Sequence, residues 1–176
     1  MDEKTAALIA RIKEKIAEDK LDDPDAPHFP PVEALEIRRA EGRLGFRLPE
    51  LLKLLYTEVA NGGFGPYDGI LGLENGWKTN QGAGKTLVQI YEECQEPIAV
   101  FPNWRWPGEL LPICEDGAGL ICLDCSRDET PVVSFEYTKG SGGVFKVGWQ
   151  INLREEADTF QNWLEAWANK PHPNRK

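Results

Sequence analysis

The sequence predicts one α+β domain, in which helices come first, antiparallel hairpins follow and a final helix closes the chain. Three patterns predict this order. Apolar residues recur at helical spacing through the first 60 residues, short apolar runs flank glycine-containing turns after residue 110, and an aromatic helical stripe returns near residue 160. The 176 residues fit a single domain 1–176, with a helix and a proline-rich strap at 1–31 and a core at 32–168.

The first helix is expected to be amphipathic and to dock on the rest of the domain or on a partner. Its apolar face carries Leu8, Ile9, Ile12 and Ile16. Residues 22–31 contain four prolines, which favour an extended strap over regular structure. A second helix is predicted from Val32 to Leu44. Its expected inward residues are Leu35, Ala40 and Leu44.

The boundary between the second and third helices carries the strongest local signals. Gly45 suits the left-handed conformation that ends a helix, and Pro49 is favoured where the next helix starts. The third helix is predicted from Pro49 to Ala60, and the sequence 61–63 (Asn-Gly-Gly) stops it. Its apolar face carries Leu51, Leu52, Leu55 and Val59.

The middle of the chain predicts one strand and one helix. The apolar run Gly69 to Leu73 is bounded by glycines, which indicates a buried strand. Thr86 to Glu96 is a short helix with an apolar side. That side carries Leu87, Ile90 and Tyr91.

Two hairpins and a closing helix complete the chain. The first hairpin joins strands 110–114 and 120–123 through the loop 115–119. The second joins strands 131–137 and 144–151 through the turn 139–143. In the closing helix, Asp158 and Gln161 have capping-box spacing. The apolar stripe of that helix carries Phe160, Trp163, Leu164 and Trp167.

Composition and charge narrow the function classes. Hydrophobic residues make up 41% and charged residues 28%, as in soluble globular proteins. The net charge of −9 repels phosphate groups, so we expect no nucleic-acid partner and favour a basic protein partner. The alternative is that the charge only keeps the protein in solution.

Segments that direct proteins to membranes are missing from the sequence pattern. No apolar run is long enough to cross a bilayer, and residues 1–20 lack the apolar centre of a signal peptide. We therefore expect a cytoplasmic protein with no membrane partner. In that reducing compartment the cysteines are expected to be thiols. They are Cys94, Cys114, Cys122 and Cys125.

Taken together, the motifs resemble the SUKH superfamily of Smi/Knr-type proteins, which includes fungal cell-wall regulators and bacterial immunity proteins. The motifs are, in order, Glu41 with Leu44, Gly45, Leu48 and Pro49; the 61–63 Asn-Gly-Gly; 111–113, 116–119 and 122–124; Val132 and Val133; and Phe160 with Leu164. The resemblance implies a mostly antiparallel sheet with helices packed on one side. It also implies that bacterial members act by binding toxins rather than by catalysis.

Motifs for chemistry are weak, so we expect no enzyme, no cofactor and no metal site. The stretch 82–86 (GAGKT) lacks the first glycine of a phosphate-binding loop, since Thr79 stands there. Cys122 and Cys125 supply two ligands, whereas a structural zinc site needs four. Cys122 is expected in the core and Cys125 near a strand end. His28 lies in the strap and His172 in the C-terminal tail, where neither is placed for acid–base work.

Acidic and aromatic loop residues are the candidates for function. Glu115, Asp116 and Asp124 are expected either to approach one another or merely to solvate and cap the turn. Trp104 and Trp106 flank Arg105, a composition typical of binding hot spots, although an extended segment also allows both tryptophans to cap the sheet. The predicted partner-binding residues are Tyr67, Asp68, Glu74, Trp77, Trp104, Arg105, Trp106, Glu115 and Asp116.

The expected function is that of an immunity protein which neutralises a cognate toxin, expected to be basic, by stoichiometric binding. A regulatory or scaffold domain of Smi/Knr type is the alternative. In that case the first helix would be a docking element, and several partners would bind.

Overall fold

A computed structural model describes residues 2–22, 25, 27–79, 84–97, 103–117, 119–139 and 149–171. Within these ranges the chain forms five α-helices and four β-strands. In chain order they are α1 Glu3–Asp22, α2 Ala34–Leu44, α3 Glu50–Glu58, α4 Leu87–Cys94, β1 Leu110–Asp116, β2 Gly119–Asp124, β3 Val132–Lys139, β4 Trp149–Ala157 and α5 Phe160–Ala168. The α+β class, with N-terminal helices and a C-terminal helix, is confirmed.

The four strands form one antiparallel sheet in the order β1-β2-β3-β4. The register places Leu111 opposite Leu123, and it aligns Leu120, Phe135 and Leu153 across three strands. Paired residues share a face of the sheet. Helix α4 packs against β1 and α5 packs against β4, so the sheet and the helices enclose one core.

Helix α1 docks on the domain, in agreement with its amphipathic pattern. Leu8, Ile9 and Ile12 are buried, and α1 packs against α5. Near its C-terminal end, Lys15 is buried: its Nζ atom donates to the carbonyl of Lys170 at 3.1 Å and lies 5.4 Å from the ring centroid of Trp167.

Helix α2 differs from its prediction in one inward residue. The buried residues are Ile37, Ala40 and Leu44, whereas Leu35 is 43% exposed. Because residues advance by about 100° around a helix, Leu35 lies roughly 200° from Ile37, on the opposite side. The prediction for Leu35 was therefore wrong.

The predicted C-terminal end of α2 is confirmed, whereas α3 ends at Glu58 instead of Ala60 and has Pro49 as its N-cap, and the predicted cap of α5 is wrong. Gly45 has a φ of 83°, and α3 begins directly after Pro49. At α5 the capping residue is Thr159, whose Oγ1 atom accepts from the amide of Asn162 at 3.0 Å. Asp158 instead accepts from the side-chain amide of Asn162, so the cap lies one residue later than predicted.

The run 69–73 is buried, as predicted, but it is not a strand of the sheet. Among the described residues, one main-chain bond links this run to the sheet, from the amide of Leu71 to the carbonyl of Ile113 at 2.7 Å. The flanking amides bond locally, from Ile70 to Phe64 and from Gly72 to Trp77. These local bonds replace a ladder, which is why a loop forms where the pattern predicted a strand.

The hairpins are longer than predicted. Strand β1 extends to Asp116 and strand β2 starts at Gly119. The outer residues of the predicted loop 115–119 therefore belong to the strands. Strand β4 continues to Ala157, whereas the prediction ended at residue 151; residues 140–148 lie outside the described part. Three of the six extra residues of β4 are charged, which is typical of an edge strand and hides the alternation expected of a strand.

Candidate partner-binding surface

Asn61 fixes the turn that carries two of the predicted site residues. It follows α3, is 4% exposed, and its Oδ1 atom accepts from the amide of Leu73 at 2.7 Å. Its Nδ2 atom donates to the carbonyl of Glu74 at 3.0 Å, and its own carbonyl accepts from the amide of Trp77 at 2.9 Å. The turn 73–77 is thereby attached to the end of α3.

Two glycines permit this close approach. A Cβ atom at Gly76 would lie 2.5 Å from the Cγ atom of Asn61, and one at Gly72 would collide with the main chain of Asn61 and Trp77. Side chains are therefore excluded at both positions. The motif predicted to stop a helix also positions Glu74 and Trp77.

Trp77 forms part of a groove between the glycine-rich loop and α1. Its ring packs edge-on against Phe29 of the strap, with the ring centroids 5.8 Å apart. The groove has a volume of about 450 Å³. We call it the α1 groove; the lining residues used below are Ile16, Asp19, Tyr67, Asp68, Trp77 and Trp167. Three predicted site residues, Tyr67, Asp68 and Trp77, thus meet in one place.

Tyr67 is the most exposed aromatic residue of this groove. It is 50% exposed, has a φ of 55° and stacks on Trp163 with a centroid separation of 6.4 Å. A left-handed conformation is uncommon for a bulky residue, and such strain clusters at functional sites. Partial burial raises the pKa of Tyr67, and the nearby carboxylates of Glu156 and Asp116 raise it further. The charge of Asp116 therefore acts on this tyrosine.

Glu156 and Arg154 complete the charged edge beside Tyr67. The guanidinium of Arg154 donates to Glu156 Oε1 at 2.6 Å. Burial opposes ionisation of Glu156, but the hydrogen bonds from Arg154 and Ser134 outweigh it and lower the pKa of this carboxyl. Glu156 therefore stays ionised next to the tyrosine.

Glu74 lies outside the α1 groove. It is exposed and borders a smaller cavity of about 240 Å³ between α2 and α4. Arg39, Arg43 and Lys78 border the same cavity, and Arg43 is paired with Glu92 at 2.6 Å. Glu74 thus sits in a basic environment, apart from Tyr67 and Asp68.

The two tryptophans of the 104–106 segment pack on Phe135 of β3. Trp106 is 7% exposed, its Nε1 atom donates to the carbonyl of Leu110 at 2.7 Å, and its ring lies edge-on to Phe135 with centroids 4.7 Å apart. Trp104 is half-buried and stacks on Phe135 at 6.3 Å. The sheet-capping alternative describes both rings, while Arg105 between them is exposed.

The carboxylates of the first hairpin are not brought together. Glu115 and Asp116 lie beside the turn, whereas Asp124 pairs with Leu110 at the opposite end. Gly119 and Asp124 are five residue steps apart along β2, which is roughly 17 Å. Asp124 instead accepts from the amide of Ser126 at 3.1 Å. Of the two alternatives, the approach of all three carboxylates is therefore excluded.

The cysteines are buried or nearly so. Cys122 lies in the core and Cys125 directly follows β2, as predicted. Burial raises the pKa of every cysteine thiol, to about 12 for Cys94 and Cys125. Among the described residues, no group of three or more His, Cys, Asp or Glu side chains is arranged to hold a metal ion.

The glycine-rich stretch before α4 is only partly described, since residues 80–83 lie outside the described ranges. Lys85 forms an ion pair with Glu93 of α4. Thr86 precedes the helix, and its amide donates to the side chain of Gln89 at 3.0 Å. These contacts explain Lys85 and Thr86 as parts of a helix start.

Sequence reasoning missed the contribution of the N-terminal segment to the groove. Ile16 was expected on an apolar face and Trp167 in a core stripe, yet both also line the groove. Asp19 and His28 carried no signal, because residues in the helix and the strap meet the loop at 63–69 only in the folded chain.

Comparison with known proteins assigns the domain. In the described part of the chain, no helix has the length and apolar character needed to cross a membrane. A search among curated proteins gives no match. A family match covers residues 31–166. Of the elements described above, this range contains α2, α3, α4 and the four strands completely, and α5 up to residue 166. The chain belongs to the SMI1/KNR4 family (SUKH-1).

Proposed function

We propose that this protein is an immunity protein that neutralises a cognate bacterial toxin by binding it stoichiometrically in the cytoplasm. Membership of the SMI1/KNR4 family supports a protein-binding domain of this kind. The observation that carries the proposal is the surface at the α1 groove where Tyr67 and Asp68 lie, with Asp116 close enough to raise the pKa of Tyr67. It combines a half-exposed aromatic ring with acidic side chains, and such rings are enriched among residues that dominate binding energy.

The charge of the chain favours a basic partner. The net charge is −9, Asp68 is exposed next to Tyr67, and the carboxylates of Glu156 and Asp116 raise the pKa of Tyr67 while Arg154 lowers it. Opposite charges accelerate association and select partners. A basic toxin docked here would have its own active surface occluded without any chemical step by this protein.

Co-expression tests the proposal directly. The neighbouring open reading frame is expressed with and without this protein, and growth and complex formation are measured. We expect growth arrest without it, rescue with it, and a complex of fixed stoichiometry by light scattering. Tyr67→Ala should weaken the complex, whereas Asp128→Asn, an exposed change in the turn after β2, should leave it intact. A neighbouring gene that causes no arrest, or arrest that co-expression does not relieve, contradicts the proposal.

A regulatory or scaffold role of Smi/Knr type is the second candidate, and the family match supports it equally. In its simplest form α1 would dock partners through its apolar face. That face is already buried, with Ile12 fully enclosed and Lys15 bonded to Lys170. A scaffold would therefore use the exposed loop surface, and several different partners should co-purify instead of one.

A further inference from the structure

The α1 groove joins residues that lie inside the family match to residues that lie outside it. Trp77 and the loop 63–69 lie within the family match, whereas Ile16, Asp19 and Trp167 lie outside residues 31–166. We infer that this groove binds a cationic side chain, arginine or lysine, presented by the protein partner. The identity of that partner rests on the proposed function.

Aromatic rings form the apolar part of the groove. Trp77, Tyr67 and Trp167 all line it. Ring faces attract cations, and arginine and lysine are the side chains that exploit this. The molecule already contains such a contact, since the Nζ atom of Lys15 lies 5.4 Å from the ring centroid of Trp167. The groove therefore offers a second cation the same type of surface.

Charge distinguishes a cation from other ligands. Two carboxylates, those of Asp68 and Asp19, line the groove. Among the described lining residues, Lys20 is the one that is positively charged at neutral pH. Asp68 is exposed, and no ion pair is formed by its carboxylate within the described residues. The carboxylate of Asp116 raises the pKa of Tyr67 and adds negative charge to the surroundings of this ring. An anion would be repelled here, whereas a guanidinium or ammonium would gain a carboxylate partner.

The groove is formed before any partner arrives. The strap is held to α3 by two main-chain bonds, from Val32 to the carbonyl of Tyr56 at 2.9 Å and from Asn61 to the carbonyl of Phe29 at 3.0 Å. Lys15 ties the neighbouring turn of α1 to the end of α5. Preformed walls reduce the entropy lost on binding, which favours a specific contact by a single side chain.

A peptide titration tests the inference without knowledge of the partner. The full chain is titrated with acetyl-Gly-Arg-Gly-amide and, as a neutral isosteric control, with the peptide in which citrulline replaces arginine. The indole N–H signals of Trp77 and Trp167 are followed by NMR and assigned with single Trp→Phe variants. We expect both signals to shift with the arginine peptide and much less with the citrulline peptide. Asp68→Asn should weaken arginine binding roughly two- to fivefold, because the carboxylate partner is lost.

Asp128→Asn is the matched control, since it removes the same charge from an exposed turn that does not line the groove. It should leave the titration unchanged. Equal shifts with arginine and citrulline, or a loss in Asp128→Asn equal to that in Asp68→Asn, would overturn the inference. If Asp68→Asn keeps full toxin neutralisation, the groove inference fails while the immunity proposal stands. If the arginine peptide binds in the groove but no toxin is neutralised, the groove stands and the immunity proposal fails.

Discussion

Replacing Asn61 with alanine should destabilise the domain and loosen the groove at the same time. The side chain is 4% exposed and bonds two main-chain groups of the 73–77 turn. Alanine removes both bonds and leaves the amide of Leu73 without its partner in a buried site. The turn would then be attached to α3 mainly through the main-chain bond from Trp77 to residue 61.

The size of the effect follows from these two bonds. The bond to the carbonyl of Glu74 is partly buried and contributes about 1 kcal/mol. The bond from the amide of Leu73 is buried, and an unsatisfied buried amide costs about 1–3 kcal/mol. Asn61→Ala should therefore lower the free energy of unfolding by about 2–4 kcal/mol, a large part of the roughly 5–15 kcal/mol that holds a domain folded.

Urea unfolding followed by tryptophan fluorescence measures this loss. Near-ultraviolet circular dichroism should also change, because Trp77 loses its fixed packing against Phe29. Asn169→Ala is the matched control, since Asn169 is exposed at the end of α5, and it should cost less than about 0.5 kcal/mol. An Asn61→Ala loss no larger than that of the control would refute the role assigned to Asn61.

Three further substitutions or conditions have expected outcomes. Gly45→Ala should cost about 1 kcal/mol because its φ is 83°, whereas Gly42→Ala, inside α2 with nothing within 4 Å, should stabilise by up to about 1 kcal/mol in chemical denaturation. Thr159→Ala should cost about 1 kcal/mol and Asp158→Ala clearly less, as measured by thermal unfolding, if Thr159 is the cap. Burial raises the pKa of Cys122 well above its ordinary value. The free energy of unfolding should therefore fall as the pH rises above about 8.5, by about 1.4 kcal/mol per pH unit for this thiol. Cys122→Ala should make that slope flatter.

The helices were predictable where a residue carries a local physical reason. Gly45 and Pro49 act through their own backbone preferences, so their roles follow from the sequence without knowledge of the fold. Apolar spacing identified α3 and α5 for the same reason. Leu35 shows where this kind of prediction fails, because an apolar residue of a helix does not necessarily lie on the buried face. In α2 the buried face is the one that carries Ile37.

Strand β4 and the run 69–73 show why pairing is harder to predict than burial. Burial of Leu71 follows from an apolar run, but membership of a sheet depends on whether its neighbours bond to another strand or locally. At β4 the opposite error arises: Arg154 and Glu155 are exposed and charged, yet they pair with β3 as an edge strand. The hydropathy of a segment predicts whether it is buried. Strand pairing, in contrast, depends on main-chain partners that lie far away in the sequence.

The α1 groove could not be predicted from the sequence as a whole, but one local pattern predicts part of it. The two glycines at 72 and 76 have no role in a helix stop, and their only steric explanation is a close approach by another part of the chain. Asn61, a polar residue buried next to a glycine, is a natural partner for such an approach. Together they imply a tightly bonded turn that presents Trp77. What covers the other side of that ring, the strap with Phe29 and the end of α1, depends on where the first thirty residues dock, and their amphipathic pattern leaves that docking site open.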